Sequence, residues 1–166
     1  VRAAARSVSR VLTGVELLSE SSQLGVGMEQ AVLESVRYFA ECLDCGAELE
    51  CWGVQALVGG QLRWDSESAC SACGFAVAVC GGDMPAERRD QMLSEHGAAR
   101  LQVNGPPTKS VAIMRVLRTE LGIDLKNAKA VLHCVLDGDY SGTLPEMEHL
   151  ARTLRKSGIA AAATRP

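Results

Sequence analysis

Two short stretches, Cys42-Leu43-Asp44-Cys45-Gly46 and Cys70-Ser71-Ala72-Cys73-Gly74, decide how this chain is read. Each is a pair of cysteines two residues apart with a glycine directly behind, and 24 residues separate the pairs. Zn²⁺ takes four thiolates at tetrahedral corners, each about 2.3 Å away. Two residues between paired cysteines let one tight turn aim both sulfurs at a single point, and the following glycine supplies the positive φ that such a turn uses. The gap is slightly longer than the usual range of about 15–20 residues, and its content explains the excess. AELECWGVQALVGGQLRW (residues 47–64) has two partly alternating apolar runs around Gly59-Gly60 and predicts a β-hairpin. A further strand-like run, Phe75 to Val79, follows the second pair. The expectation is a zinc ribbon in which Cys42, Cys45, Cys70 and Cys73 hold a structural zinc, the four thiolates leaving no open position for water.

A disulfide framework or a redox dithiol are the competing readings of the same cysteines. Seven cysteines is an odd number, which speaks against a fully paired framework. Residues 1–27 hold no uninterrupted apolar core of signal-peptide length, because Arg6, Arg10, Gly14 and Glu16 break it. A cytoplasmic protein is expected. Cys134 lies in a helical apolar pattern and reads as a small core residue, while Cys51 and Cys80 lack the paired-turn setting.

At 166 residues and 47% apolar content, the chain has room for one domain or two small ones, with no run of about 18 apolar residues to span a membrane. The net charge of −3 is unevenly spread. Residues 31–104 carry 5 Arg/Lys against 11 Asp/Glu, a balance of −6, whereas residues 105–166 carry 9 against 6, a balance of +3. A tetrathiolate zinc would add two negative charges to the first part. That part is a poor match for nucleic acid, and the basic second part suits an acidic partner. Residues 1–30 are read as disordered, as an amphipathic helix from about Arg6 to Ser19, or as a start misplaced ahead of Met28.

Outward from the cysteines, Glu29 to Ala40 shows helical spacing (Val32, Val36, Phe39), so residues 31–97 are expected as a helix, a ribbon and a linking helix. The linking helix is read from Pro85 near its start to Gly97 at its end. Leu101 and Val103 alternate as a strand, and a domain boundary is placed between Gly97 and Pro107. Beyond it the signals are regular. Thr108 would cap a helix running to Leu121 and closed by Gly122; Asp124 would cap a second from Leu125 to about Leu136. Thr143-x-x-Glu146 with Pro145 is a capping box opening a third helix to Ser157, and Ile159 to Thr164 reads as a last strand. The predicted class is α+β: a small zinc-ribbon β module followed by a β-α-α-β-α-β unit over residues 101–166.

The first helix of that unit has one apolar stripe too many. Ile113, Val116, Leu117 and Leu121 form the stripe that a small sheet needs. Val111, Met114, Arg115 and Arg118 recur at the same spacing on a neighbouring face. Methionine adapts to irregular surfaces and arginine pairs with carboxylates, so this second stripe has the composition of a partner-binding patch. The alternative is that Val111 and Met114 widen the core contact and the arginines are solvated.

KSVAIMRVLRTELGIDLKNAKAVL (residues 109–132) resembles the C-terminal domain of the bacterial large-subunit ribosomal stalk protein (the L-seven/L-twelve type). The shared pattern is an apolar-Ala-apolar-apolar-basic helix start, a glycine after that helix, and Leu125-Lys126-Asn127-Ala128-Lys129 opening the next. The tail LARTLRKSGIAAA (residues 150–162) resembles the same family's last helix and strand. The resemblance spans about residues 101–164 and implies a non-enzymatic, translation-associated protein that docks translational GTPases, chiefly elongation factors Tu and G, or joins the ribosome. The implied contact positions are Val111, Ala112, Met114, Arg115, Arg118 and Lys129. Ser110 and Asp124 depart from the family's pattern, and a zinc ribbon stands where that family has dimerisation helices and a hinge. A zinc-ribbon nucleic-acid or transcription-associated adaptor is the alternative. An enzyme is not expected, since His96, His133 and His149 have no nucleophile or carboxylate constellation in sequence and no phosphate-cradling glycine loop is present.

Overall fold

The computed structural model describes residues 29–104 and 109–165. The reading of residues 1–30 falls almost wholly outside that range, as does the expected cap Thr108. The described chain is α+β, with four helices and two antiparallel sheets. The first sheet is a meander, β1 (Val32–Glu41), β2 (Glu48–Val58), β3 (Gln61–Ala69) and β4 (Ala76–Gly82), in that spatial order. Helix α1 (Ala86–His96) follows, then β5 (Ala99–Asn104), α2 (Ser110–Leu121), α3 (Leu125–Asp137), β6 (Ser141–Gly142), α4 (Leu144–Lys156) and β7 (Ala160–Thr164). The second sheet has the order β6-β5-β7.

Residues 29–40 are not the expected helix. They enter β1, which pairs with β2 over its whole length, from Val32 opposite Leu57 to Glu41 opposite Glu48. Burial along it alternates with period two: Glu34 and Val36 are buried, Leu33, Ser35, Arg37 and Phe39 are exposed. The strand pattern was hidden by one residue, because a carboxylate occupies an inward position where alternation calls for an apolar side chain. The hairpin is as expected, β2 and β3 turning at Gly59 and Gly60, both at positive φ. Gly53 of β2 has a specific reason to lack a side chain: a Cβ there would lie 2.1 Å from the Trp64 indole, which covers it. Trp64, Val36 and Met92 of α1 form the small core under this sheet.

The larger core joins Ala99 and Leu101 of β5, Ile113, Val116 and Leu117 of α2, Leu132 and Val135 of α3, and Met147, Leu150, Ala151 and Leu154 of α4. The helix ends follow their sequence signals. Gly122 and Gly138 terminate α2 and α3 in the left-handed region, and the Asp124 side chain accepts from the Asn127 N–H. Thr143 and Glu146 form the full capping box at α4, with Pro145 in its first turn. Lys109, at the N-cap of α2, makes no side-chain cap. Cys134, expected in the core, is exposed on α3.

Helix α4 packs on both sheets, and its buried set (Pro145, Met147, Leu150, Ala151, Arg152, Leu154) is correspondingly broad. Across this joint Glu34 of β1 accepts from the Leu144 N–H at 3.0 Å and pairs with Arg165. Thr143 Oγ1 donates to Gln55 Oε1 of β2 at 2.5 Å. Arg89 of α1 holds Glu146 through two parallel bonds of 2.8 and 2.7 Å, and that carboxylate holds the guanidinium above its usual range. Truncating a buried acceptor leaves its donors unpaired, at roughly 1–3 kcal/mol. Glu34→Ala is therefore expected to lower unfolding stability by about 1–3 kcal/mol in urea titrations, and Glu34→Gln by less, since an amide oxygen still meets the Leu144 N–H.

Candidate functional site

The meander brings the cysteine pairs together. Successive strands reverse direction, so the first and third turns of four strands lie at the same end of the sheet. Cys42–Gly46 forms the turn between β1 and β2, and Cys70–Gly74 the turn between β3 and β4. The two turns are built alike. In one, Cys42 N–H donates to Ala47 O and Gly46 N–H to Cys42 O, both at 2.8 Å. In the other, Cys70 N–H donates to Phe75 O at 2.8 Å and Gly74 N–H to Cys70 O at 2.9 Å. Gly46 and Gly74 have φ of 73° and 78°, as their place behind each pair implies.

The four sulfurs converge within 4.8 Å of one another. Cys42 Sγ lies 3.7 Å from Cys73 Sγ, and Cys45 Sγ 3.7 Å from Cys70 Sγ. Tetrahedral bonds of about 2.3 Å place sulfurs about 3.8 Å apart, so these cysteines can hold a single metal ion. Two, Cys42 and Cys70, are buried and two, Cys45 and Cys73, are exposed. Backbone donors polarise the cluster. The N–H of Cys73, aided by that of Ala72, draws the Cys70 thiol down to about 7 against its burial. The Phe75 N–H draws on Cys73, but the surrounding sulfurs, Cys45 first, outweigh it and push that thiol up to about 12. Cys51 stays outside the cluster. It is buried behind it with Leu49, and its sulfur accepts from Ser68 Oγ at 3.2 Å. Cys80 is exposed on β4.

The second candidate surface is the outer side of α2. Val111, Met114, Arg115 and Arg118, the four residues of the additional stripe, line one open concavity of about 420 Å³ together with Thr119 and Leu125. Val111 is 66% exposed and Leu125 56%. Met114 is half-buried and also rests on the core. Ala112 turns away from this concavity toward an adjoining one lined by Lys109, Val111, Arg115 and Ser157. Lys129 is exposed on α3 and lines neither. Sequence reasoning missed Thr119 and Leu125. The available signal for Leu125 was an apolar residue directly after the helix cap Asp124, a place that faces outward.

Two of the three histidines are engaged elsewhere: His149 Nε2 meets Glu120 Oε2 at 2.7 Å, linking α4 to α2, and His96 Nε2 meets Ser35 O at 2.8 Å, while His133 is exposed on α3. No helix among the described residues is long and apolar enough to cross a membrane. No family model matches the chain, and no curated protein or solved structure matches it.

The sulfur geometry has a direct consequence for metal loading. Ligand thiols must give up their protons, and Cys73 begins well above neutral pH, so protons compete with the metal. Apparent affinity for Co²⁺, followed by its thiolate charge-transfer absorption, is expected to fall by at least about tenfold per pH unit below pH 7, since more than one proton is displaced. Cys42→Ser or Cys73→Ser is expected to remove most of that absorption, and Cys51→Ser to leave it unchanged.

Proposed function

We propose that this chain is a non-enzymatic docking protein whose α2 face takes an acidic surface of a protein partner, and whose four cysteines hold a structural zinc. The observation that carries the reading is the concavity on α2. Val111, Met114, Arg115 and Arg118 were singled out by helical spacing, they are four of the six positions implied by the resemblance to the ribosomal stalk domain, and they line one open surface, which Ala112 and Lys129 do not. Its chemistry is an apolar floor edged by two guanidinium groups with no ion pair to an acid among the described residues. Arginine and methionine are both enriched at protein interfaces relative to the rest of the surface, and a guanidinium pairs with carboxylates through two parallel bonds. The residue balance of +3 in this half favours an acidic partner. The partner class that the resemblance implies is a translational GTPase.

Zinc is the metal proposed because four thiolates at tetrahedral spacing suit it and close its coordination sphere. Its place at the end of the meander is a bracing one. Zinc binding in small domains contributes an apparent free energy on the order of 10–16 kcal/mol near neutral pH, and here it would fasten β1–β2 to β3–β4.

One observation favours the nucleic-acid alternative: the Arg37 guanidinium lies over both Phe39 and Trp52, at 5.1 and 5.0 Å, and both rings are half-exposed on the sheet. Stacking platforms of this kind bind single strands when they sit in a basic groove. Here Glu50 pairs with Arg37, and Glu67 stands opposite Trp52, so the surroundings repel phosphate.

The two readings separate in one experiment. Immobilised protein is expected to retain purified elongation factors Tu or G, and Arg115→Glu with Arg118→Glu to weaken that capture by about a hundredfold together, at roughly tenfold for each anchor lost. Metal content of the double variant should stay at the parent value. Capture of neither factor by the parent protein, joined by a salt-dependent shift with single-stranded RNA, would replace the docking reading with the nucleic-acid one.

A further inference from the structure

The outer face of the first sheet already holds one cation and has room for two more. Alternation along the strands puts Arg37, Phe39 and Glu41 of β1 on this face with Glu48 and Trp52 of β2 and Glu67 of β3. Arg37 shows how the face takes a positive charge. Its guanidinium lies 5.1 Å from the Phe39 ring centre and 5.0 Å from that of Trp52, and Glu50 pairs with it at 2.5 Å. Each of those rings also borders a concavity of about 350 Å³ whose lining contains no lysine or arginine among the described residues. One is lined by Phe39, Glu41 and Glu48 beside the first cysteine turn. The other lies toward β4 and is lined by Trp52 and Glu67, with Ala69, Ala76 and Ala78. Glu41, Glu48 and Glu67 are exposed and form no ion pair among the described residues. Glu41 and Glu48 stand directly opposite each other, and like charges so placed destabilise a sheet until a positive charge comes between them. Glu67 stands opposite Trp52.

We propose that this face docks a basic segment of a partner protein, an extended stretch that sets one arginine or lysine in each concavity. Each concavity repeats the elements that hold Arg37, an aromatic ring and a carboxylate, and lacks only the cation. Charge commits the occupant. The two arginines of the face, Arg37 and Arg63, are taken by Glu50 and Asp65, which leaves Glu41, Glu48 and Glu67 to be answered from outside. A divalent ion on the four thiolates would leave two further negative charges at the same end of the sheet. An acidic occupant would bring like charges together. An uncharged one would strip water from three carboxylates without pairing them. A cation gains twice, from the carboxylates and from the ring faces, of which indole attracts most. Glu48 lies four residues before Trp52 on β2, about 13 Å at about 3.3 Å per residue. An extended partner covers that distance in four residues, so basic side chains at i and i+4 fit. The face is opposite in sign to the α2 concavity, and the two surfaces select different partners.

The test is fluorescence anisotropy of a labelled, unstructured peptide with two arginines four residues apart, titrated with the full chain at low ionic strength. Saturable binding is expected. Glu48→Lys combined with Glu67→Lys should weaken it by roughly tenfold or more, since each reversal turns an attraction into a repulsion. Trp52→Ala should weaken it by about two- to fivefold, the effect of one exposed cation–ring contact. The same peptide with citrulline in place of arginine, alike in shape and uncharged, should not bind. All three substituted side chains are exposed, and unchanged circular dichroism and metal content show that the variants stay folded. No binding by the full chain, equal binding of the citrulline peptide, or an affinity indifferent to the double reversal would each overturn the proposal. Binding gained only on deleting residues 1–28 would give the face to this chain's own Arg2, Arg6 and Arg10, and a dimer dissolved by the double reversal would give it to a second copy. Either result also overturns the proposal.

Discussion

Helix α4 has to serve two sheets at once, and its first turn is where that demand is met. Every helix begins with N–H groups that lack a partner inside it. Here the capping box accounts for Thr143 and Glu146, while Leu144 N–H is taken by Glu34, 110 residues earlier in the chain. Two carboxylates, Glu34 and Glu146, thus stand at the positive end of the helix dipole, each answered by an arginine from elsewhere, Arg165 and Arg89. Gly142 makes room for this arrangement, since a Cβ there would lie 2.5 Å from Glu146 Oε2 and 2.8 Å from Met147 Cε. The acidic half and the basic half are held together by a polar joint as much as by apolar packing.

This joint explains which parts of the molecule could be read from sequence. The cysteine turns, the Gly59-Gly60 hairpin and the capping box are local. Each needs only a few neighbouring residues of the right kind, and each is found where its residues predict. Strand β1 failed because its inward-facing Glu34 makes sense only against Leu144 and Arg165, which no short window contains. Cys134 failed for a related reason. On α3 the buried positions are Ala128, Leu132 and Val135, and a small apolar residue one step round the helix is indistinguishable by type from a core one. On α2 the spacing of Val111, Met114, Arg115 and Arg118 was legible, but Thr119 and Leu125 join their concavity only through the angle between α2 and α3.

The two candidate surfaces belong to different parts of the architecture. The cysteine cluster sits at the end of the first sheet, held by main-chain bonds in two like turns. The α2 concavity rests on the second core, with Ile113, Val116 and Leu117 buried directly beneath it. A rigid helix face presents its side chains with little ordering cost on binding, and α4 ties that face to the first sheet. The first sheet in turn keeps its aromatic side, Phe39, Arg37 and Trp52, turned away from the helices.

The long reach of α4 bears on how the chain is made. The second cysteine turn is complete at Gly74, so the four cysteines can come together from a short nascent segment. The inner face of the first sheet gains its full cover only when α4 has emerged, some 80 residues later. At about 5–20 residues per second of synthesis, this is an interval of about 4–16 s. During it Glu34 and Gln55 face solvent, which suits a carboxylate and an amide far better than it would a pair of leucines. Glu34 and Gln55, buried in the finished fold, are the side chains of that face that tolerate water best.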